Sequence, residues 1–239
     1  MSVIFLVRHA QASFLEQDYD RLSSAGETQA RLLGEYWAQR KVAWDRIFTG
    51  PRLRQRDTVK IAAECYRSAG LRFPEQVVMQ EFDEYEAETV LKKSLPRLLE
   101  SDYKIRELHG AFVASKDAGE QRRSFQKMFE AVIGQWVGGE ISVPGVEPWQ
   151  EFCARVNRGL SRIMSGAKRG ERMAVFSSGG PIAVAMQRAL QLSPQDTLRV
   201  VWMSRNCSYS EFIFSGDRFT LSSFNAIPHI DDPTLLTYR

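Results

Sequence analysis

The sequence predicts an α/β fold: a three-layer sandwich with a mostly parallel central sheet, helices on both faces, and a helical insertion as a cap. Three observations predict it. Val3-Ile4-Phe5-Leu6-Val7 and Met173-Ala174-Val175-Phe176 are apolar at successive positions, as strands buried on both faces are. Each of the early apolar runs is followed by a stretch with helical spacing, the rhythm of a parallel sheet. Between about residues 91 and 145 the rhythm stops and only helical spacing remains.

The elements follow in order. The first strand ends at Arg8-His9, and a polar loop covers residues 12–23. Ser24, three residues before Glu27, reads as a capping box opening a helix. Ala30, Leu33 and Trp37 share one face of that helix, which ends near Lys41. Residues 44–48 are a second strand, stopping at Thr49-Gly50-Pro51. Proline suits the first helical position because it has no N–H to leave unpaired, so a helix is expected from Pro51, with Arg52, Arg54 and Arg56 in its first turns. Residues 76–80 are a third strand running into a cluster of carboxylates, Glu81, Asp83, Glu84, Glu86 and Glu88. Most of such a cluster is ordinarily a solvated loop or helix start.

Leu91, Leu95, Leu98 and Leu99, then Phe125, Met128, Phe129, Val132 and Trp136, mark the insertion's helices, and Gly138, Gly139, Pro144 and Gly145 close it. Additions at a sheet's edge vary while the scaffold stays, so the insertion is read as a substrate-selecting cap, with a homodimer surface as the alternative. A helix over residues 149–164 and a central strand over 172–176 come next, then a helix over 182–192. Apolar stretches at 198–203, 209–214 and 219–224 follow; the last two flank Ser215-Gly216-Asp217, a hairpin turn. The whole of residues 1–239 is thus read as a single domain carrying an insertion at about 91–145.

Composition narrows the function classes. A hydrophobic fraction of 44% and a charged fraction of 26% are those of an ordinary globular chain. A net charge of +3, spread along the sequence, argues against a nucleic-acid partner. Cys65, Cys153 and Cys207 are far apart and odd in number, with neither a disulfide framework nor zinc spacing, so a reducing cytoplasm is expected and no metal. The first apolar run is too short for a signal peptide, and no stretch is long enough to span a membrane.

Three strand ends carry the chemistry: Arg8-His9, Gly50-Pro51-Arg52-Leu53-Arg54 and Ser178-Gly179-Gly180-Pro181. In open α/β sheets, ligands bind beyond the carboxyl ends of strands. Helix N-termini offer unpaired N–H groups to phosphate, glycine lets the backbone approach it, and arginine grips two of its oxygens. A histidine between such groups can attack the anion or move its proton. The chain has neither a P-loop lysine nor a GxGxxG. A lone Arg-His after a strand is most often structural; its recurrence with two anion-binding junctions is what raises it.

These stretches resemble the histidine phosphatase superfamily, the phosphoglycerate mutase-like proteins. Val7-Arg8-His9-Ala10 is similar to the family's Arg-His-Gly; residues 22–30 resemble Leu-Ser/Thr-x-x-Gly-x-x-Gln-Ala; residues 49–58 resemble Ser-Ser-Pro-x-x-Arg-x-x-x-Thr; and Met79-Gln80-Glu81 resembles Leu-x-Glu. Asn206-Cys207-Ser208, Asn225 and His229 also fit. The likeness spans nearly the whole chain apart from the insertion. It implies a phosphomonoester hydrolase needing no cofactor and acting on a small phosphorylated substrate, with His9 as nucleophile and Arg8 and Arg54 on the phosphate. Glu81 would be the proton carrier, with Glu84 as runner-up through a looser match at Phe82-Asp83-Glu84. Gln11, Ser178 and Gly179 would contact substrate.

Departures from the family pattern bear on activity. Ser178 stands where the family has a second histidine, in Ser-His-Gly-Gly. A hydroxyl donates one hydrogen bond but carries no charge. Losing a charged donor costs on the order of 2–4 kcal/mol, roughly 10²–10³ in rate. A phosphate-binding protein without turnover is therefore the alternative reading, and a phosphoglycerate-type mutase a third. His109 or His229 replacing the missing ring is weighed against the more ordinary surface or structural histidine. Ala10 and Gln11 replace the usual Gly-Glu, and Leu15 stands where many members have Asn.

Overall fold

The computed structural model describes residues 1–13 and 20–238; Leu15 lies outside the described residues. In chain order the elements are β1 (Ser2–Arg8), α1 (Ser24–Gln39), β2 (Arg46–Thr49), α2 (Leu53–Ser68), β3 (Gln76–Val78), a 3-10 turn (Gln80–Phe82), α3 (Ala87–Ser101), α4 (Tyr103–Ala114), α5 (Ala118–Gly138), α6 (Trp149–Ser165), β4 (Arg172–Ser177), α7 (Gly179–Leu190), α8 (Pro194–Met203), β5 (Tyr209–Ser215) and β6 (Arg218–Ala226). They form two compact units, Met1–Glu84 with Arg155–Arg239, and Tyr85–Ala154.

The first unit holds a six-stranded sheet in the order β3-β2-β4-β1-β5-β6. Strands β3, β2, β4 and β1 run parallel, while β5 is antiparallel to both β1 and β6. The fold is the mostly parallel α/β sandwich that the continuous apolar runs predict. Successive side chains of a strand point to opposite faces. On one face Val7, Ala174, Phe176 and Ile47 pack with Leu33 and Trp37 of α1 and Val59 and Tyr66 of α2. Ile4, Leu6, Met173 and Val175, on the alternate positions, are equally buried. The Trp37 and Trp44 rings meet edge to face at 4.7 Å, and Trp44 Nε1 donates to the Tyr66 hydroxyl at 2.9 Å. Such aromatic pairs fix orientation as well as burying area.

Several boundaries differ from the sequence reading for identifiable reasons. The N-cap of α1 is Ser23, not Ser24: its Oγ accepts from Gly26 N at 3.1 Å. Ser23 is also bound to Gln11, through its backbone N–H at 2.9 Å and its hydroxyl at 2.9 Å, and these bonds decide between the two serines. Helix α2 starts at Leu53 rather than Pro51, because Gln55 closes a capping box on Arg52. β3 ends at Val78, since the chain tightens into the 3-10 turn. Residues 198–203 belong to helix α8, which Ser193 caps by accepting from Asp196 N. The hairpin forms as expected, with Gly216 at a φ of +57°.

The second unit begins and ends outside the expected 91–145. It contains α3, α4, α5 and the first turns of α6. Its core joins Leu98, Ile105 and Val132, and Tyr85, Trp136, Trp149 and Phe152 pack ring on ring at 5.3 to 6.0 Å. Among the described residues no helix is long and apolar enough to cross a membrane.

Candidate active site

The site grows from the carboxyl end of β1. Arg8 is in register with Ser177 of β4, and His9 N–H donates to the Ser177 carbonyl at 2.8 Å. The His9 carbonyl accepts from Cys207 N and from Asn206 Nδ2, each at 3.2 Å. The next amide, Ala10 N, donates to Thr58 Oγ1, which donates in turn to the Arg54 carbonyl. The backbone of the histidine is therefore tied to β4, to the α8–β5 link and to α2.

This anchoring fixes the ring chemically. His9 Nδ1 lies 2.7 Å from the Ala10 carbonyl. A carbonyl can only accept, so Nδ1 carries the proton and Nε2 keeps its lone pair. Arg54 Nε donates to that Nε2 at 3.1 Å. The ring is 7% exposed. Burial first, then the Arg54 and Arg8 charges, hold its pKa well below the usual histidine value of 6.5. Both effects disfavour a second positive charge beside two guanidiniums. The result is a neutral imidazole with one lone pair directed into a cationic cluster.

Arg8 and Arg54 are 8% and 6% exposed. Arg8 Nη1 donates to the Ser204 carbonyl. Arg54, in the first turn of α2, donates through Nη1 to Asp20 Oδ1 at 2.7 Å, while Asp20 Oδ2 accepts from Leu53 N at 2.8 Å. Asp20 thus bridges the guanidinium and the start of α2 and holds the arginine's Nε edge toward the histidine. Its partners lie 33 and 34 residues away in sequence, so no local pattern points to it.

At the third junction, Ser178 is the N-cap of α7, but its hydroxyl makes no cap bond. Its Oγ instead accepts from Gln55 Nε2 at 2.8 Å, and the residue is 1% exposed. Gly179 stands beside the arginine: a Cβ placed on it would lie 4.0 Å from Arg8 Nε and 3.4 Å from Val201 Cγ1.

The two candidate carboxylates part company. Glu81 ion-pairs with Arg162 Nη1 at 3.3 Å, and its Cβ would come within 2.7 Å of a Cβ on Gly159 in α6. Among the described residues, Arg162 is the ion partner of the Glu81 carboxylate. Glu84 Oε2 accepts from Gly180 N at 3.1 Å, two residues from Ser178. The turn that carries both is held by Arg155 Nη1, which donates to the carbonyls of Gln80, Glu81 and Asp83 at 3.0, 3.1 and 3.2 Å.

Gln11 is tied to the first turns of α1. Its Oε1 accepts from Ser23 Oγ, and its N–H donates to Gln29 Oε1 at 2.8 Å. Gln29, fully buried, donates to the Leu235 carbonyl at 2.7 Å and to Thr237 Oγ1 at 2.9 Å. Thr237 reaches Asn206 Oδ1 at 3.0 Å. The segment after β6 is in this way strapped to the residues that carry His9. Gly26 allows the close packing: a Cβ there would stand 2.1 Å from the Gln11 carbonyl oxygen.

His229 takes a structural position. Its ring stacks on Tyr209 at 6.5 Å and meets Tyr36 at 6.1 Å, and among the described residues neither ring nitrogen makes a well-formed hydrogen bond, the Cys207 backbone being a weak neighbour only. His109 lies in the second unit against Phe112. Burial lowers the His229 pKa from 6.5 to about 4, the Cys207 backbone opposing. The folded chain refuses a proton that the unfolded chain accepts below pH 6.5. Stability is therefore complete above 6.5 and falls, through this group, as pH drops toward 4, by about 3 kcal/mol. His229→Phe is expected to remove that part of the decline; urea unfolding of both proteins at pH 7 and pH 4.5 checks it.

With the geometry established, comparison places the chain in a family. The profile of the Histidine phosphatase superfamily (branch 1) matches residues 4–139 and 87–227, and the chain belongs to that superfamily. Its structure is similar to YhfR of Bacillus stearothermophilus (TM-score 0.66, 16% identity, 97% of this chain and 100% of that one). It also resembles a putative alpha-ribazole-5'-P phosphatase from Escherichia coli (TM-score 0.62, 15% identity, 95% and 98%). Phosphoglycerate mutase from Bacillus anthracis is a third (TM-score 0.60, 13% identity, 95% and 94%). At these identities the likeness is one of fold. No curated protein matches the sequence.

Proposed function

We propose that the protein is a phosphomonoester hydrolase that works through a phosphohistidine on His9. The observation that carries this reading is the tautomer: Nδ1–H bonded to the Ala10 carbonyl, with the Nε2 lone pair facing the Arg54 guanidinium. Nε2 attacks phosphorus as the P–O ester bond breaks. Arg54 and Arg8 take up the charge on the equatorial oxygens, an electrostatic role that protein dipoles and cations fill well in phosphoryl transfer. The leaving oxygen takes a proton from a carboxyl group. Water then attacks the phosphohistidine, giving its proton back to that carboxylate, and phosphate leaves with cleavage of the P–N bond.

For the proton carrier we favour Glu84 over Glu81. Glu84 is bound at the amino end of α7, next to Ser178, whereas Glu81 is spent on Arg162. Gln11 and Gly179 line the same strand ends, and a small phosphorylated molecule is the substrate class. One observation favours a second reading: the neutral Ser178 in place of a charged donor points to phosphate binding without turnover.

Incubation with an aryl phosphate, followed by phosphorus NMR, separates the readings. The hydrolase releases inorganic phosphate catalytically. Binding of inorganic phosphate with no turnover favours the second reading, and exchange of phosphate between positions of a phosphoglycerate would make the protein a mutase.

A further inference from the structure

We infer that Gln55 is a positioning residue that sets the direction of the Ser178 hydroxyl, turning it into an obligate hydrogen-bond donor to the substrate's phosphoryl group. The inference rests on the proposed phosphate site. Gln55 is fully buried, and its amide cannot be turned over. Its Oε1 accepts from Arg52 N at 3.1 Å, where α2 begins. Its Nε2 faces two acceptors, Ser178 Oγ at 2.8 Å and the Phe82 carbonyl at 3.4 Å. A flipped amide would set N–H against N–H at Arg52 and oxygen against oxygen at Phe82, so the network assigns the orientation.

The consequence falls on Ser178. Because Gln55 donates, Ser178 Oγ accepts, and the hydroxyl's own proton points away from Gln55. Ser178 Oγ accepts no N–H of α7 as a cap, and among the described residues no acceptor is bonded to its proton. The residue before it binds His9 N–H, and the residue after it lies beside Arg8. The proton is therefore held at the junction where the arginines gather phosphate. An unconstrained serine would rotate and lose part of this donor strength to competing orientations.

Gln55 also joins two of the junctions to the turn after β3. It bonds the first residues of α2, the turn leading to Glu84, and the N-cap of α7 at once, and Ser177 Oγ donates to the same Phe82 carbonyl at 2.8 Å. Glycine at position 50 makes room for this amide: a Cβ there would lie 2.2 Å from Gln55 Oε1 and 2.5 Å from the Phe82 oxygen.

The test uses Ser178→Ala, Gln55→Glu and the double variant, with an aryl phosphate as substrate and inorganic phosphate as ligand. Removing one such donor lowers kcat by about 10²-fold. Gln55→Glu keeps the shape but, when ionised, accepts from the hydroxyl and turns its proton away from phosphate. It should cost about as much as Ser178→Ala, and adding it to Ser178→Ala should cost no more. Acidification protonates Glu at position 55 and restores a donor, so the ratio of Gln55→Glu to wild-type kcat should recover as pH falls. A full loss from Gln55→Glu on the Ser178→Ala background, or a ratio flat in pH, overturns the inference and makes Gln55 a structural residue only. If the wild type binds phosphate without turning substrate over, the hydrolase reading fails, and the inference is then judged on phosphate affinity, with the same non-additivity expected by calorimetry. A wild type that neither binds nor hydrolyses sinks both.

Discussion

Replacing His9 with alanine is expected to lower kcat on an aryl phosphate by at least about 10⁴-fold, the loss that follows removal of a nucleophile when the rest of the site survives. The cluster around it should survive. The backbone of residue 9 is held by Ser177, Asn206 and Cys207 without help from the ring. Arg54 keeps its bond to Asp20. Inorganic phosphate should therefore still bind to the variant. In the wild type the pH profile carries a second sign. The His9 pKa is held well below 6.5 by burial and by Arg54 and Arg8. The attacking nitrogen is already free of a proton at pH 6, so kcat/KM should show no loss from this group between pH 8 and pH 6. An acid limb centred near 6.5 would mean that the nucleophile is an exposed histidine instead.

The second large effect separates the two carboxylates. Glu84→Gln is expected to lower kcat by 10² to 10⁴-fold, in the range of a lost general acid and base. The loss should be smaller for substrates whose leaving oxygen needs no proton, so a nitrophenolate ester should suffer less than an alkyl phosphate. Glu81→Gln removes an ion pair whose arginine is largely exposed, and such pairs contribute little. Its kcat should stay within a few-fold of wild type. Steady-state rates on both esters check this; the opposite ranking would return the role to Glu81.

The divergence between these residues shows where sequence reading stops. Met79-Gln80-Glu81 and Phe82-Asp83-Glu84 both fit an apolar-x-acid spacing near a strand end. Their different partners, Arg162 for Glu81 and Gly180 N for Glu84, follow from where the strand stops and from the 3-10 turn at Gln80–Phe82, held by three bonds from Arg155 on a distant helix. By contrast, β1 and β4 are legible from the chain alone, because strands buried on both faces must be apolar at every position. His9, Arg8 and Arg54 are legible for a related reason: they are polar residues at or just beyond the points where apolar strands end. Asp20, Gln29 and Gln55 are not. Each is an ordinary polar residue whose meaning lies in a partner far along the sequence, as with Gln29 and Leu235 or Gln55 and Ser178. The serine at position 178 is visible in the sequence as a missing charge, but only the packed structure shows the amide that donates to its hydroxyl oxygen.

The most direct test of the central claim is chemical capture of the intermediate. Glu84→Gln, mixed with a radiolabelled aryl phosphate and quenched in base within the first turnover, should carry label in a base-stable, acid-labile adduct, and peptide mapping should place it on His9. The same experiment with His9→Ala should yield no adduct. Turnover with no labelled protein at any quench time, or label on any other residue, would contradict direct attack by the His9 ring.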